Sequence, residues 1–205
     1  AVCRQCRRIG EKLFLKGERC YSPRCAVEKR RRPPGNSNPR RRRPSDWAIQ
    51  LKEKQKARFT YGVLERQFRR YFDMARESSG ATGDNLIQVL ESRLDNVVYR
   101  LSFSESRKQG RQLVNHGHFK VNGRRMDIPS YLVKPGDVIE WKRAGNNGST
   151  PEYIQILTDG LPKRPVPSWL RLDVPNLSGE IVTVPHVSEV NTNIEARLIV
   201  EFYSK

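Results

Sequence analysis

The sequence predicts an α+β fold: a basic, mostly helical N-terminal domain with a four-cysteine arm, an inserted helix–helix–β-hairpin module, and short C-terminal strands. Three observations predict it. All four cysteines lie within the first 25 residues. Apolar residues recur at the spacing of an amphipathic helix through much of residues 47–101. Alternating residues then flank Asn122-Gly123, the preferred two-residue turn of a tight hairpin.

Long helices account for most of the chain between the arm and the hairpin. They are expected over residues 47–58, 65–78 and 82–101. Ser45 or Asp46 can cap the first with a side-chain oxygen, and Thr82 can cap the third. Gly80 ends the second helix, because glycine readily takes the left-handed conformation that follows a helix.

A short helix and several strands are expected after residue 101. Ser106 and Gln109 have the Ser-x-x-Gln spacing of a capping box, and the helix stops at His116-Gly117. Alternation and β-branched or aromatic residues then predict strands near residues 119–121, 124–126, 138–139, 179–184 and 197–203.

Charge is the strongest functional signal in the sequence. The chain holds 39 Lys and Arg against 22 Asp and Glu, a formal net charge of +17 with a pI near 10.2. Residues 1–46 carry fifteen basic and four acidic side chains and residues 47–72 carry seven and two, whereas residues 141–205 have seven of each. A field of this sign attracts polyanions, most commonly nucleic acid. A solvated surface, a disordered tail and an acidic membrane surface are the alternatives.

The sequence indicates a cytoplasmic protein. It has no run of about 18 or more apolar residues, and the basic first ten residues lack the apolar segment of a secretory signal. The missing initial Met is expected to reflect either a processed start or a start that lies outside the given sequence. In a reducing cytosol, clustered cysteines bind metal more often than they form disulfides.

The cysteines have the spacing Cys3-x2-Cys6-x13-Cys20-x4-Cys25, which suits a closed tetrahedral metal site. Basic neighbours favour the thiolate form that binds metal. One structural zinc ion is the preferred hypothesis, while an iron–sulfur cluster, two disulfides and a redox pair remain open. Four protein ligands would leave no position for catalysis.

Residues 30–44 alternate arginine runs with Pro, Gly and Asn. This composition predicts an extended segment that packs poorly on itself. A simple linker is one interpretation. We favour a segment that lies along phosphates and orders when it binds, because two arginine runs are spaced by prolines.

A second basic group surrounds the expected hairpin. Arg107, Lys108 and Arg111 lie on the first turns of a helix, and guanidinium groups and helix N-termini both suit phosphate oxygens. The turn and hairpin add further side chains: His116, His118, Lys120, Arg124 and Arg125. Each alone is ordinary surface charge, but their clustering at turn edges favours an RNA-binding face.

Longer motifs occur along the whole chain: Leu90-Glu91-Ser92-Arg93-Leu94-Asp95-Asn96-Val97-Val98-Tyr99-Arg100-Leu101, Ser106-Arg107, Arg111-Gln112-Leu113-Val114, His116-Gly117-His118, Val121-Asn122-Gly123, Pro129-Ser130-Tyr131, Pro135-Gly136-Asp137, Gly17-Glu18-Arg19-Cys20-Tyr21-Ser22-Pro23, Glu53-Lys54-Gln55-Lys56, Glu65-Arg66-Gln67-Phe68 and Ile199-Val200-Glu201-Phe202-Tyr203-Ser204-Lys205. Together they closely resemble the bacterial small-subunit ribosomal protein four family. The four cysteines match its zinc-binding subset. Residues 141–165 match least well.

The resemblance implies a structural, non-enzymatic constituent of the small ribosomal subunit. It implies primary binding to the 5′ domain of 16S rRNA early in assembly, near the channel through which messenger RNA enters, with a contribution to translational accuracy. The expected neighbours are small-subunit ribosomal proteins three and five. Repression of its own messenger RNA is a further expectation.

The expected domains are a basic arm with the metal site at residues 1–46, a body formed by residues 47–90 and 141–205, and an RNA-binding module at residues 91–140. These boundaries are set to within several residues, with an end of the module at about residue 153 as the alternative. The expected zinc ligands are Cys3, Cys6, Cys20 and Cys25. The expected RNA-binding residues are Arg7, Arg8, Arg40, Arg41, Arg42, Arg43, Lys52, Lys54, Lys56, Arg69, Arg70, Ser106, Arg107, Lys108, Arg111, Gln112, His116, His118, Asn122 and Arg124.

Two residues depart from the family pattern. Gly110 replaces the usual alanine inside a helix, at an expected cost of about 1 kcal/mol of helix stability. Leu64 stands where a capping serine is common, which weakens that helix start by about 1 kcal/mol. Neither touches the expected RNA-binding face.

Two rival functions are less well supported by the sequence. RNA-modifying pseudouridine synthases carry a similar module and use the Asp of an Arg-Leu-Asp sequence, present here at residues 93–95. That tripeptide lies in the strongest amphipathic helix, so Asp95 is expected to pair with Arg93 or Arg100. A zinc-dependent DNA-binding regulator needs a base-reading helix beside the metal, and residues 7–24 show no such pattern.

Overall fold

The computed structural model describes residues 2–30, 32–35, 43–142, 159, 161, 164–190 and 193–204. The chain divides into two compact units. The first contains Ala1–Ile87 and Thr192–Lys205, and the second contains Gln88–Asn191.

The described residues form eight α-helices: α1 Val2–Ile9, α2 Ala26–Lys29, α3 Asp46–Tyr61, α4 Glu65–Glu77, α5 Thr82–Glu91, α6 Leu94–Arg100, α7 Arg107–Asn115 and α8 Ala196–Tyr203. Short 3-10 turns lie at Gly17–Cys20 and Val187–Glu189. None of the described helices is long and apolar enough to cross a membrane. Five strands form one antiparallel sheet in the order β2-β1-β3-β5-β4: β1 Phe119–Val121, β2 Arg124–Met126, β3 Val138–Trp141, β4 Leu170–Asp173 and β5 Ser178–Ile181.

The helix ends of the first unit follow the sequence closely. Ser45 caps α3, because its Oγ accepts a hydrogen bond from the Ala48 N–H at 3.3 Å. Gly62 ends α3 in the left-handed conformation, with φ of 66°. Leu64 precedes α4 and supplies no side-chain cap, as its apolar side chain predicts. Thr82 is the first residue of α5 and not its cap.

The C-terminal segment forms α8, so the strand expected there is wrong. Its apolar residues lie three and four positions apart, which places the fully buried Ile199 and the half-buried Tyr203 on one helical face. The Tyr203 ring lies 4.6 Å from the Phe72 ring. α8 also packs against α3, where the Gln50 amide donates to Glu201 Oε2 at 3.0 Å.

The single helix expected over residues 82–101 is two helices, α5 and α6. Between them Arg93 has an extended backbone, with φ of −69° and ψ of 136°, and pairs with Leu132 in an antiparallel bridge. The Leu94 N–H then donates to the Tyr131 carbonyl at 2.8 Å. These contacts with a later part of the chain interrupt an otherwise continuous helical pattern.

The core of the second unit is formed by α6, α7 and the inner face of the sheet. Its fully buried members include Val97, Val98, Phe103, Val114, Phe119 and Ile139. β5 pairs with β3, where Ile139 lies opposite Gly179, and β4 pairs with β5 at the edge of the sheet. A Cβ at Gly179 would meet Leu101 Cδ1 at 2.5 Å, so this strand packs closely on the loop after α6.

α6 and α7 approach each other closely at Gly110, which corrects our interpretation of that residue. A Cβ at this position would lie 2.8 Å from the Asp95 carbonyl oxygen and 2.9 Å from Ser104 Oγ. A side chain would therefore force the two helices apart. Gly110 therefore lowers the intrinsic stability of α7, but it allows α6 and α7 to pack closely.

Candidate nucleic-acid interface

The N-terminal arm has a small apolar cluster of its own. Cys6, Ile9, Leu13 and Leu15 are buried together. Phe59 of α3 packs against them from outside the arm. This cluster fixes the face that α1 turns inward and leaves most of its arginines toward solvent.

The four thiols lie in this arm and form no disulfide. Cys6, Cys20 and Cys25 are buried, Cys3 is half-buried, and the Lys16 N–H donates to Cys20 Sγ at 3.3 Å. Burial raises the pKa of the Cys6 and Cys20 thiols, which are therefore neutral near pH 7. Within the described residues, no group of three or more Cys, His, Asp or Glu side chains is arranged to hold a metal ion.

The expected phosphate-binding arginines of the arm differ in their contacts. Arg7 is engaged in the fold: its Nε donates to the Arg32 carbonyl at 3.0 Å and its Nη2 to the Pro33 carbonyl at 3.3 Å. Arg8 and Arg43 are exposed. Three further expected residues lie outside the described part of the chain: Arg40, Arg41 and Arg42.

Two lysines of α3 that we expected to contact RNA are buried in ion pairs, which corrects their assignment. Lys54 is 5% exposed, and its Nζ lies 2.6 Å from Glu65 Oε1. Lys56 is 6% exposed, and its Nζ lies 2.9 Å from Glu11 Oε2. Both cations are used within the fold. The other expected residues of α3 and α4 are exposed: Lys52, Arg69 and Arg70.

A buried polar network lies where α5 meets α6 in the sequence. Arg93 is fully buried, and its Nε and Nη2 contact the Asp95 carboxylate at 3.0 and 2.5 Å. Glu91 is also fully buried and accepts from Arg100 Nη2 at 2.7 Å. The expected pairing of Asp95 with Arg93 is confirmed. A buried, paired carboxylate has no access to a substrate base.

Three of the expected RNA-binding residues hold the second unit together. Arg107 donates from Nε to Asn96 Oδ1 at 2.7 Å, and only 11% of its side chain is exposed. Ser106 caps α7 with its hydroxyl oxygen. Asn122 donates to Asp137 Oδ1 at 2.8 Å and thereby fixes the hairpin turn. We assign these three a structural role.

The remaining expected residues of this unit reach solvent, and we call them the module surface: Lys108, Arg111, Gln112, His116, His118 and Arg124. α7 and the turn after it carry all but Arg124, which lies on β2. Arg111 is 45% exposed and lies 3.6 Å from Asp95 Oδ2, so a buried carboxylate orients it from below. Gln112 Nε2 lies 2.6 Å from His116 Nε2, and the His116 and His118 rings are 6.0 Å apart.

His118 differs from the other members of the module surface in its charge. Partial burial lowers its pKa, and His116 and Lys142 nearby lower it further. The ring is therefore neutral at pH 7. Its ring nitrogens can exchange hydrogen bonds but add no positive charge to the module surface.

Two arginines of the second unit have roles that the sequence did not indicate. Arg164 Nη2 donates to the carbonyls of Tyr99 and Ser104 at 3.0 and 2.5 Å, and its guanidinium lies 4.1 Å from the Tyr99 ring centroid. It thus clamps the loop between α6 and α7. Arg125 packs on Gly117, where a Cβ would lie 2.4 Å from Arg125 Nε. Arg164 lies within the poorly matching segment 141–165, so no motif pointed to it.

Two family models match the chain in succession. The ribosomal protein S4/S9 N-terminal domain matches residues 1–91. The S4 domain matches residues 92–139, which include α6, α7, β1 and β2.

Several bacterial proteins are similar to this chain along its whole length. The small ribosomal subunit protein uS4A of Symbiobacterium thermophilum is 50% identical over 204 residues, covering 100% of this chain and 97% of that protein. The small ribosomal subunit protein uS4 of Acetivibrio thermocellus is 52% identical over 205 residues, with 100% and 97% covered. That of Caldicellulosiruptor saccharolyticus is 52% identical over 203 residues, with 99% and 96% covered.

Proposed function

The chain belongs to the uS4 family of bacterial small ribosomal subunit proteins, and from that premise we propose that it is a non-enzymatic constituent of the subunit that binds 16S-type rRNA. The observation that supports rRNA binding best is the sorting of basic side chains in the second unit. Arg93, Arg100 and Arg107 are paired with acidic or amide groups inside. Lys108 and Arg111 remain exposed on α7, where phosphate oxygens can reach them.

A charge-matched comparison tests this proposal. Replacing Lys108, Arg111 and Arg124 together by Ala should weaken rRNA binding by on the order of a thousandfold or more, because each charged contact contributes about 1.5–3 kcal/mol and about 1.4 kcal/mol is tenfold. The control replaces three exposed arginines elsewhere, Arg76, Arg171 and Arg197, which are 65%, 71% and 85% exposed. Equilibrium binding measures affinity, and circular dichroism checks that helix content is unchanged. Equal losses from both variants would show that only net charge matters.

We propose further that Cys3, Cys6, Cys20 and Cys25 bind one structural zinc ion. Their electrostatic proximity supports this: beyond burial, the other three thiols each raise the pKa of Cys6. Backbone N–H groups of Leu13 and Lys16 already point at two of the sulfurs, which suits thiolates. Bound zinc would supply folding free energy on the order of 10 kcal/mol to an arm with a small core.

Elemental analysis and proteolysis test the zinc proposal. One zinc per chain is expected, with metal affinity rising with pH because neutral thiols must lose their protons. Removing the metal, or replacing Cys3 and Cys6 by Ser, should make residues 1–30 protease-sensitive and weaken rRNA binding without unfolding the second unit. Iron with inorganic sulfide would indicate a cluster instead. A chain with no metal and four freely reactive thiols would contradict the proposal.

The same family membership supports a more specific role. We propose that the chain binds the 5′ domain of the rRNA early in assembly, in the cytoplasm, beside small-subunit ribosomal proteins three and five and near the path of messenger RNA. Repression of its own messenger RNA and a contribution to accuracy belong to this proposal. Residues 1–46 would act as the metal-ordered arm, residues 47–90 as part of the body, and residues 91–140 as the RNA-binding module. Chemical crosslinking of assembled subunits tests the neighbours directly.

A further inference from the structure

A cavity of about 360 Å³ opens on the first unit. It is lined by Arg4, Gln5, Arg8, Pro34, Gly35 and Phe59. Small-molecule pockets measure about 300–1,000 Å³, so this cavity accommodates one nucleotide-sized group. A double helix, whose major groove alone is about 12 Å wide, is too wide to enter it, so a nucleotide in this cavity would have to be unstacked from its neighbours.

Two of the arginines that line the cavity are available to bind a ligand. Arg4 and Arg8 lie one turn apart on α1 and are exposed, and neither has an ion pair with any described residue. Arg7 lies between them but is used differently. Its guanidinium donates to the Arg32 and Pro33 carbonyls, which ties the segment next to the lining residues Pro34 and Gly35 to α1. Arg4 and Arg8 can therefore bind an anion at the cavity, while Arg7 holds part of its surroundings in place.

The cavity lining includes one aromatic ring, and that ring is held in place. Phe59 is half-buried, packs against the apolar cluster of the arm, and has the Arg58 guanidinium 5.3 Å from its ring centroid. Gln5 adds an amide with both donor and acceptor groups. A simple phosphate would leave Phe59 unused, and an apolar peptide would leave the arginines without a counterion. A nucleotide uses the ring, the amide and both cations.

We propose that this cavity binds one unstacked nucleotide of an RNA chain. The base stacks on Phe59, the Gln5 amide meets the base edge, and Arg4 and Arg8 contact the flanking phosphates. Proteins recognise structured RNA largely through such splayed bases, stacked on aromatic rings or guanidinium planes. The inference rests on the proposed rRNA binding and adds a specific subsite in the arm to the basic surface of the second unit.

Binding and chemical probing of full-length variants with a 5′-domain rRNA fragment test the subsite. Replacing Phe59 by Leu keeps an apolar group against the arm cluster but removes the stacking face. Loss of one base–aromatic stack corresponds to about a 5- to 150-fold weaker affinity. Probing should find a single unpaired nucleotide whose reactivity changes in the Phe59→Leu and Arg4→Gln complexes. Ultraviolet crosslinking of the wild type should join that nucleotide to the peptide containing Phe59 or to that containing Gln5.

Two matched variants serve as controls. Phe202→Leu alters another half-buried ring of the first unit, and Arg76→Gln removes an exposed charge; neither should change the reactivity of that nucleotide. Tight rRNA binding by wild type and Phe59→Leu alike, with no crosslink at the cavity, would overturn the subsite and leave the proposed function intact. If the wild type does not bind rRNA in preference to other nucleic acids, both the subsite and the proposed function would be overturned. Free AMP at millimolar concentration is tested in the same ultraviolet crosslinking experiment. If it crosslinks to the Phe59 peptide as efficiently as the RNA fragment does, the occupant is a free nucleotide and the RNA-chain subsite is wrong.

Discussion

Individual buried residues determine how α6 is oriented and how closely α7 approaches it. Arg93 brings a full positive charge into the interior, where only a paired carboxylate makes it tolerable. Asp95 supplies that carboxylate and also orients the exposed Arg111. Gly110 removes the side chain that would separate the helices at the same place. The module surface therefore depends on residues that never reach solvent.

Replacing Gly110 by Ala should destabilise the second unit. The added methyl carbon would lie 2.8 Å from the Asp95 carbonyl, and overpacking of this kind costs about 1–3 kcal/mol, more than the gain of about 1 kcal/mol in helix propensity. Urea denaturation of the full chain measures the change. Lys108→Ala on the exposed face of α7 is the control and should alter stability by about 0.5 kcal/mol or less. A more stable Gly110→Ala chain would disprove the close contact.

Replacing Asp95 by Asn should cost about 3–5 kcal/mol, because it leaves Arg93 buried without a counter-charge. Chemical denaturation gives the free energy of unfolding. The exposed Asp127→Asn carries the same chemical change and should be nearly neutral. Stability should return in part when Arg93→Met is combined with Asp95→Leu. If Asp95→Asn and Asp127→Asn behave alike, the buried pair does not govern stability.

At the scale of helices, the first unit is completed by a segment far away in sequence. α8 packs against α3, and Tyr203 donates from its hydroxyl to Glu65 Oε1 at 3.0 Å. Glu65 also accepts from Lys54 at 2.6 Å and Arg58 at 3.0 Å. Burial and this hydrogen bond raise the pKa of Tyr203 well above its usual value. One carboxylate of α4 thus connects α3, α4 and α8.

The contribution of Glu65 to stability should depend on pH. Burial alone would raise its pKa, but hydrogen bonds from Lys54, Tyr203 and Arg58 lower it overall. A carboxylate with a depressed folded-state pKa stabilises the fold above its unfolded pKa of about 4.3, and this stabilisation is lost as the pH falls through the folded pKa.

Glu65→Gln should therefore destabilise the chain by about 1 kcal/mol at pH 7, a value reduced for the 44% exposure of the side chain. The difference from wild type should shrink below about pH 4. Thermal unfolding at several pH values measures it, with the exposed Glu77→Gln of α4 as the matched control. A difference that stayed constant down to pH 3 would rule out the ionised carboxylate as its source.

Local patterns predicted those elements that are defined by their own caps and spacing. Ser45 and Ser106 mark helix starts in both sequence and structure, and Asn122-Gly123 marks the hairpin. The break at Arg93 and the helical state of α8 depend on contacts with distant residues, so no local window contains the information. β-branched and aromatic residues in α8 even favoured the wrong element, since tertiary packing overrides β propensity.

The candidate site was predictable in position but less so in detail. Lys52, Lys54 and Lys56 share one local pattern, yet only Lys52 is exposed, because Glu65 and Glu11 reach the other two from elsewhere in the chain. Arg107 and Arg111 differ in the same way. Arg107 donates to Asn96 inside the fold, whereas Arg111 stays at the surface. The charge of a region can be predicted from its sequence, whereas the partner of each cation depends on the tertiary structure.

At the scale of the whole molecule, charge is divided very unequally along the chain. Residues 1–46 carry fifteen basic and four acidic side chains, and residues 141–205 carry seven of each. Such a concentration of like charge destabilises an isolated globule by self-repulsion and favours contact with a polyanion. Within residues 1–46, the ion pair of Lys12 with Glu28 relieves part of the repulsion. The basic side chains that stay exposed are available to bind phosphates.

The most direct test of rRNA binding is the affinity of the full chain for a 5′-domain rRNA fragment as a function of salt, beside duplex DNA of equal length. If about eight phosphates are contacted, the logarithm of affinity should fall with the logarithm of salt concentration at a slope of roughly −6. The rRNA should remain the tighter ligand at every concentration. A slope near zero, or equal affinity for both nucleic acids at physiological salt, would contradict specific, phosphate-based rRNA binding.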